Sequence, residues 1–127
     1  MKKHVPFTTL VGMTLKSITH DIDTMEFINA EGRRFRLFHD QDCCESVEIE
    51  DICGDLNDLI GYPILVAEER TSTDEEAKDR WDESYTWTFY ELRTIKGSVT
   101  IRWYGTSNGY YSEDVDFVEI LDIEGAV

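Results

Sequence analysis

Tyr85-Thr86-Trp87-Thr88-Phe89-Tyr90, followed after Lys96-Gly97-Ser98 by Val99-Thr100-Ile101-Arg102-Trp103-Tyr104, is the stretch on which the fold turns. In both runs one face is bulky and the other mixed, with a period of two. That is the pattern of strands, since a helix repeats its apolar positions every three to four residues. The Gly-containing turn between the runs joins them as an antiparallel pair. Gly105-Thr106-Ser107-Asn108-Gly109 supplies the next turn, where Asn-Gly suits positive φ. Val115, Phe117, Glu119 and Leu121 then alternate as a last strand.

The first half carries the same signal less regularly. Thr9 to Thr19 is rich in Thr, Val, Leu and Ile and reads as a first strand. Ile22 to Asn29 and Arg33 to Phe38 flank Ala30-Glu31-Gly32 as a hairpin, with Met25 and Phe27 on one face and Phe35 and Leu37 likewise. Val47 and Ile49 alternate with Glu48 and Glu50, a short strand whose acids face water, and Ile64 to Ala67 is an apolar run of strand length. Asp55 to Ile60 reads as a single helical turn capped by Asp55, with Leu56, Leu59 and Ile60 buried and Gly61 and Pro63 ending it. Thr71 to Glu83 reads as a mobile loop, with a short helix started by Thr73 and Glu76 as the alternative. Together these predict an α+β fold in a single domain over residues 1–127: a twisted, mainly antiparallel sheet of six or seven strands with one or two short helices.

Charge limits the partners. Lys and Arg number 12 against 27 Asp and Glu, a net charge of -15. Residues 1–36 hold six basic and four acidic side chains, a net of +2, whereas residues 40–83 hold 16 acids against Arg70, Lys78 and Arg80, a net of -13. Phosphate affinity needs clustered Lys and Arg, so direct nucleic-acid binding is disfavoured, and anionic lipid with it. A basic protein surface or a cation fits the charge, although acidity also serves plain solubility. The 41% hydrophobic content, with six Phe, six Tyr and three Trp, is that of a globular chain. No apolar run approaches the roughly 20 residues of a membrane span. Three cysteines, two of them neighbours not expected to pair with each other, fit a reducing cytoplasm better than a disulfide framework.

The chemistry-bearing residues concentrate in His39-Asp40-Gln41-Asp42-Cys43-Cys44-Glu45-Ser46 and the acids that follow. Because cysteine is among the most buried residue types, this reads as a partly buried acidic corner, with one cysteine inward and one outward if residues 43–47 are extended. Zinc is not expected, since adjacent cysteines lack Cys-x-x-Cys spacing, and no calcium-loop pattern is present. Catalysis by Cys43 or Cys44 with His39 is disfavoured as well, because surrounding acids raise a thiol's pKa. No metal, cofactor or catalytic residue is therefore assigned. Carboxylates two apart (Asp21 and Asp23, Asp40 and Asp42, Glu48 and Glu50, Asp114 and Asp116, Asp122 and Glu124) would lie about 6.5 Å apart on one face of a strand. Rows of them could imitate a nucleic acid toward a basic groove, although an ordinary solvent face accounts for any single pair.

Asp42-Cys43-Cys44-Glu45-Ser46, with Ile49-Glu50-Asp51-Ile52 running through Gly54-Asp55-Leu56 to Leu59-Ile60, resembles an uncharacterised protein family of tailed bacteriophages and bacteria. So does Ile101-Arg102-Trp103-Tyr104-Gly105-Thr106-Ser107-Asn108-Gly109-Tyr110-Tyr111-Ser112. The resemblance spans the first strand to about Phe117. It implies a phage or prophage origin and a small intracellular protein, with no activity attached. It also singles out Asp42, Cys43, Cys44, Asn108, Tyr110 and Tyr111 as one shared site, in which a tyrosine hydroxyl serves the carboxylate of Asp42 or Glu45. The expectation is a non-catalytic cytoplasmic protein that blocks a basic surface of a host protein, a defence or nucleic-acid-handling factor, through Asp42, Glu45, Glu48, Glu50 and Asp51. The alternative is a small-molecule or metal-binding protein using the Cys-Cys corner, and a virion component is a third reading.

Overall fold

The structure, a computed structural model, describes residues 1–72, 77–79 and 81–121. Among them are nine strands in two antiparallel sheets. They are β1 (Lys2–His4), β2 (Leu15–His20), β3 (Thr24–Asn29), β4 (Arg34–Phe38), β5 (Ser46–Cys53), β6 (Val66–Ser72), β7 (Ser84–Thr94), β8 (Gly97–Ser107) and β9 (Asp116–Ile120). One sheet runs β1-β9-β4-β3-β2 and the other β5-β8-β7-β6. The expected α+β class is thus corrected to all-β, and one sheet of six or seven strands to two.

The helix expected at Asp55 to Ile60 fails for want of length. Asp55 does cap a turn, its Oδ1 accepting from the Asn57 N–H at 2.9 Å, but the turn is 3₁₀ and covers only Leu56–Leu59. Gly61 at φ 86° and Pro63 then end it. Thr73 and Glu76 lie outside the described residues. Thr9 to Thr19 is not one strand either. Phe7–Leu10 form a second 3₁₀ turn with Phe7 and Leu10 buried, and the strand itself begins at Leu15, after an isolated bridge between Thr14 and Pro63. Lys2–His4, too short and polar to read as a strand, pairs with β9.

Both expected hairpins form. In β3–β4 Met25 faces Leu37 and Phe27 faces Phe35, and all four are buried. β7 and β8 pair from Ser84 opposite Ser107 to Thr94 opposite Gly97. Their inward side chains, among them Tyr90, Leu92, Val99, Ile101 and Trp103, join those of the other sheet in one cluster with Phe7, Leu10, Leu59 and Ile64. Phe7 knits the sheets together, its ring 4.7 Å from Tyr90 and 5.1 Å from Phe117. On the outer face of the same hairpin, Trp87, Phe89 and Tyr104 form a second buried cluster. Arg70 covers Phe89 at 4.0 Å and Arg102 covers Trp87 at 4.8 Å. Guanidinium groups over ring faces shield apolar surface while keeping their charge in water.

Gly54 closes the chain against the neighbouring hairpin. Its φ is 118°, and a Cβ there would stand 2.5 Å from the Ser98 carbonyl oxygen and 3.1 Å from Val99 Cα. Both obstacles are backbone and cannot step aside. Gly54→Ala should therefore destabilise the protein by roughly 2 kcal/mol or more. Urea unfolding checks this, and a loss below about 0.5 kcal/mol, the usual surface-substitution range, would contradict it.

Candidate functional site

Strand register brings the two sequence motifs together. β5 pairs with β8 antiparallel, so Ser46 at its start lies opposite Thr106 near the end of β8. Ser84 at the start of β7 lies opposite Ser107. Three segments consequently meet at one end of the four-stranded sheet. They enclose a cavity of about 280 Å³, lined by Cys44 and Glu45 from the corner, Trp81, Asp82 and Glu83 from the approach to β7, and Thr106, Ser107, Asn108 and Tyr111. Asp42, Cys43 and Tyr110 do not line it, and Tyr110 is 87% exposed. Residues 108–111 form bends rather than a strand, so the two tyrosines do not alternate. Asn108 Oδ1 accepts from the Tyr110 N–H at 3.0 Å and Gly109 takes φ 94°.

The corner is built inside out relative to expectation. Cys43 and Cys44 are both exposed, whereas Glu45 is buried. The backbone bends at residues 43 and 44 instead of extending, which hands two N–H groups to Glu45. Oε2 accepts from the Asp42 N–H at 2.9 Å and Oε1 from the Cys43 N–H at 2.8 Å. The same bend brings the two sulfurs together as a disulfide, so the expectation of unpaired neighbours, one inward and one outward, is corrected. Cys53 is free and exposed, its thiol donating to Asp51 at 3.3 Å, and that contact pushes its pKa up.

His39 completes the corner. Its Nε2 lies 2.7 Å from Glu45 Oε2 and its Nδ1 2.7 Å from the Asp114 carbonyl oxygen. The two side chains are 4% and 0% exposed. A carbonyl only accepts, and a carboxylate already taking two backbone N–H groups is ionised, so both ring nitrogens donate and the ring is an imidazolium. Burial works against its charge, but Glu45, the Asp114 carbonyl and the nearby Asp116 outweigh it and raise the His39 pKa. Burial would likewise push Glu45 up, yet the hydrogen bonds from His39, Asp42 and Cys43 hold its carboxyl at about 2. Glu45 is served by these groups rather than by a tyrosine hydroxyl. Neither nitrogen of His39 is left for a thiol.

Sequence reasoning missed Glu113 beneath the turn. It is buried and accepts from Thr86 Oγ1 at 2.8 Å and from Ser107 Oγ, which itself accepts from the Gly109 N–H at 2.9 Å. Gly105 admits it, since a Cβ there would stand 2.8 Å from the Glu113 carbonyl oxygen. Tyr104 was also unassigned. Its hydroxyl accepts from the Lys78 N–H at 3.0 Å and donates to Asp82 at 2.6 Å, tying Lys78 and Asp82 to the outer face of the sheet. Burial, then the Asp82 contact, pushes its pKa up to about 12.

Among the described residues the paired carboxylates do not form rows on neighbouring strands. A bulge between Ile49 and Asp51 breaks the two-residue repeat, so Glu48 opposite Tyr104 and Asp51 opposite Arg102 share the outer face, while Ile49 and Ile52 face the core. Glu50, the extra residue, pairs with Lys78 Nζ. Asp21 lies in a turn, accepting from the Asp23 N–H at 3.1 Å, and Asp40 and Asp42 lie in the corner. Asp114 precedes β9, and Asp122 and Glu124 lie outside the described residues. Among the described residues no group of three or more His, Cys, Asp or Glu is placed to hold a metal, and no helix is long and apolar enough to cross a membrane.

Residues 8–117 match the model of a family described as a domain of unknown function (DUF7448). No curated protein and no solved structure matches the chain.

The His39–Glu45 pair sets a pH dependence with two arms. Glu45 is depressed from 4.5 to about 2, so its contribution is present above 4.5 and is lost as pH falls toward 2. His39 is raised from 6.5, so its contribution is complete below 6.5 and is lost as pH rises through the higher folded value. Urea unfolding across this range should therefore show stability falling as pH rises above 6.5. In His39→Gln that fall should vanish and stability near pH 6 should be lower. An unchanged profile in the variant would contradict the pairing.

Proposed function

The chain belongs to the DUF7448 family, and we propose that it is a non-catalytic acidic protein that binds and blocks a basic surface of another protein. The observation that carries this reading is the outward presentation of Glu48 and Asp51 on an edge strand, next to Glu50 and the exposed Asp42, within the most acidic part of the chain. Fields from such clusters steer basic partners and repel anions. Glu45 takes no part, because its carboxylate is committed to His39 and two backbone groups. The resemblance to a phage and bacterial family supports a host defence or nucleic-acid-handling protein as the target, met in the host cytoplasm. Among the described residues the paired carboxylates form no rows on neighbouring strands, so this reading does not rest on nucleic-acid mimicry.

A second reading has an observation of its own. The cavity shared by Cys44, Glu45, Asn108 and Tyr111 is large enough for a small molecule, and the two motifs of the family resemblance line it together. Under that reading the corner is a ligand seat and the acidic edge is only a solvated face.

Salt separates the two. A protein partner held by the edge should be captured at low salt and released as salt rises, because exposed charges are screened over about 8 Å at physiological ionic strength. Replacing Glu48, Glu50 and Asp51 by Gln, Gln and Asn should slow association with the captured, identified partner about ten-fold with little change in unfolding midpoint. Unchanged association, or direct binding of duplex DNA at low salt, would reject the edge as the binding surface.

A further inference from the structure

The acidic edge is not uniformly polar. Where β5 bulges, the turn between β2 and β3 comes up against it, and the Ile49 N–H donates to the Ile22 carbonyl at 2.7 Å. A groove of about 440 Å³ opens along this seam. Ile22, Ile49 and Ile52 give it an apolar lining, and Asp21, Glu50 and Asp51 supply its carboxylates. Of these, Glu50 faces Lys78 and Asp51 lies 3.6 Å from Arg102, in solvent-exposed pairs that a partner's cation can displace. Ile49 and Ile52 are half-buried because their inner sides pack on the core, but Ile22 is 62% exposed. An isoleucine held by its backbone yet turned toward solvent gains nothing from burial within this chain. Asp21 is kept ionised by the Asp23 N–H.

We propose that this groove receives an extended segment of the basic partner, with an apolar side chain on the isoleucines and Lys or Arg at the alternate positions against Asp21, Glu50 and Asp51. The inference rests on the reading of the protein as a binder of basic surfaces and adds what the partner must carry besides charge. An extended chain points successive side chains in opposite directions, so one strand of alternating apolar and basic residues can satisfy both the lining and the carboxylates. A second copy of this chain fits the charge badly, since it would set two groups of Asp21, Glu50 and Asp51 against each other.

The test is a titration of the ¹⁵N-labelled full chain with two peptides, acetyl-Lys-Val-Arg-Val-Lys-amide and acetyl-Lys-Ser-Arg-Ser-Lys-amide, at low salt. The valine peptide should shift the amides of residues 20–22 and 49–52 and bind about ten-fold tighter than the serine peptide. Ile22→Ser, an exposed side chain whose backbone contact is retained, should abolish that preference and leave the remaining spectrum unchanged. Asp51→Asn should weaken both peptides alike. Equal affinity of the two peptides, or shifts centred elsewhere, would overturn the groove while leaving the charge-based reading intact. Failure of both peptides to bind would overturn the groove and count against that reading as well. Shifts of the groove amides on raising protein concentration without peptide would assign it to self-association and overturn the proposal.

Discussion

β8 is hydrogen-bonded on both of its edges, to β7 along eleven residues and to β5 along most of its length. Nearly everything else hangs on that double pairing. One face of the strand places Val99, Ile101 and Trp103 in the core. The other places Tyr104 and Arg102 in the covered outer cluster. A strand buried on both sides cannot slip by one residue without exchanging its two faces, so its register is strongly specified. That register decides which loops meet at the end of the sheet.

The hairpins were legible because period-two alternation and a glycine turn are local signals. Ser84 opposite Ser107 follows from the hairpin centre at residues 95 and 96, so the approach of Asp82 and Glu83 to Asn108 was already implied in the sequence. Helix signals misled because a cap does not supply length: Asp55 caps as expected, but only four residues follow before the turn ends. The bulge had a trace as well, in the doubled acid Glu50-Asp51 between two core-facing isoleucines, which strict alternation does not allow. Placing one of the two cysteines inward followed residue statistics, and the local competition for backbone donors overrode them. Glu45 takes the N–H groups of Asp42 and Cys43, and the bend this requires leaves the cysteines outside.

Burial of acidic groups in this protein is selective rather than wasteful. Glu45 and Glu113 are both out of solvent, and each accepts hydrogen bonds from more than one group. Among the described residues, the buried polar side-chain atoms without a hydrogen-bond partner are the Tyr90 hydroxyl and the Trp103 Nε1. These are neutral groups, for which desolvation costs far less than for a carboxylate. The protein thus keeps its charged groups either paired or wet. Its cavity lies between two such paired centres, His39–Glu45 on one side and Thr86–Glu113–Ser107 on the other, so the walls are held by side chains whose rotamers are already committed.

The bulge in β5 bears on behaviour far from any binding event. An open sheet ends in unpaired backbone groups that can template growth of the sheet into a neighbouring molecule, the geometry from which fibrils form. Here the extra residue Glu50 bends that edge, and Ile22 takes up the N–H of Ile49. At the opposite edge, β6 carries Glu68, Glu69 and Arg70 in succession. Both edges of the four-stranded sheet are thereby blunted against pairing edge to edge with a second copy of the chain.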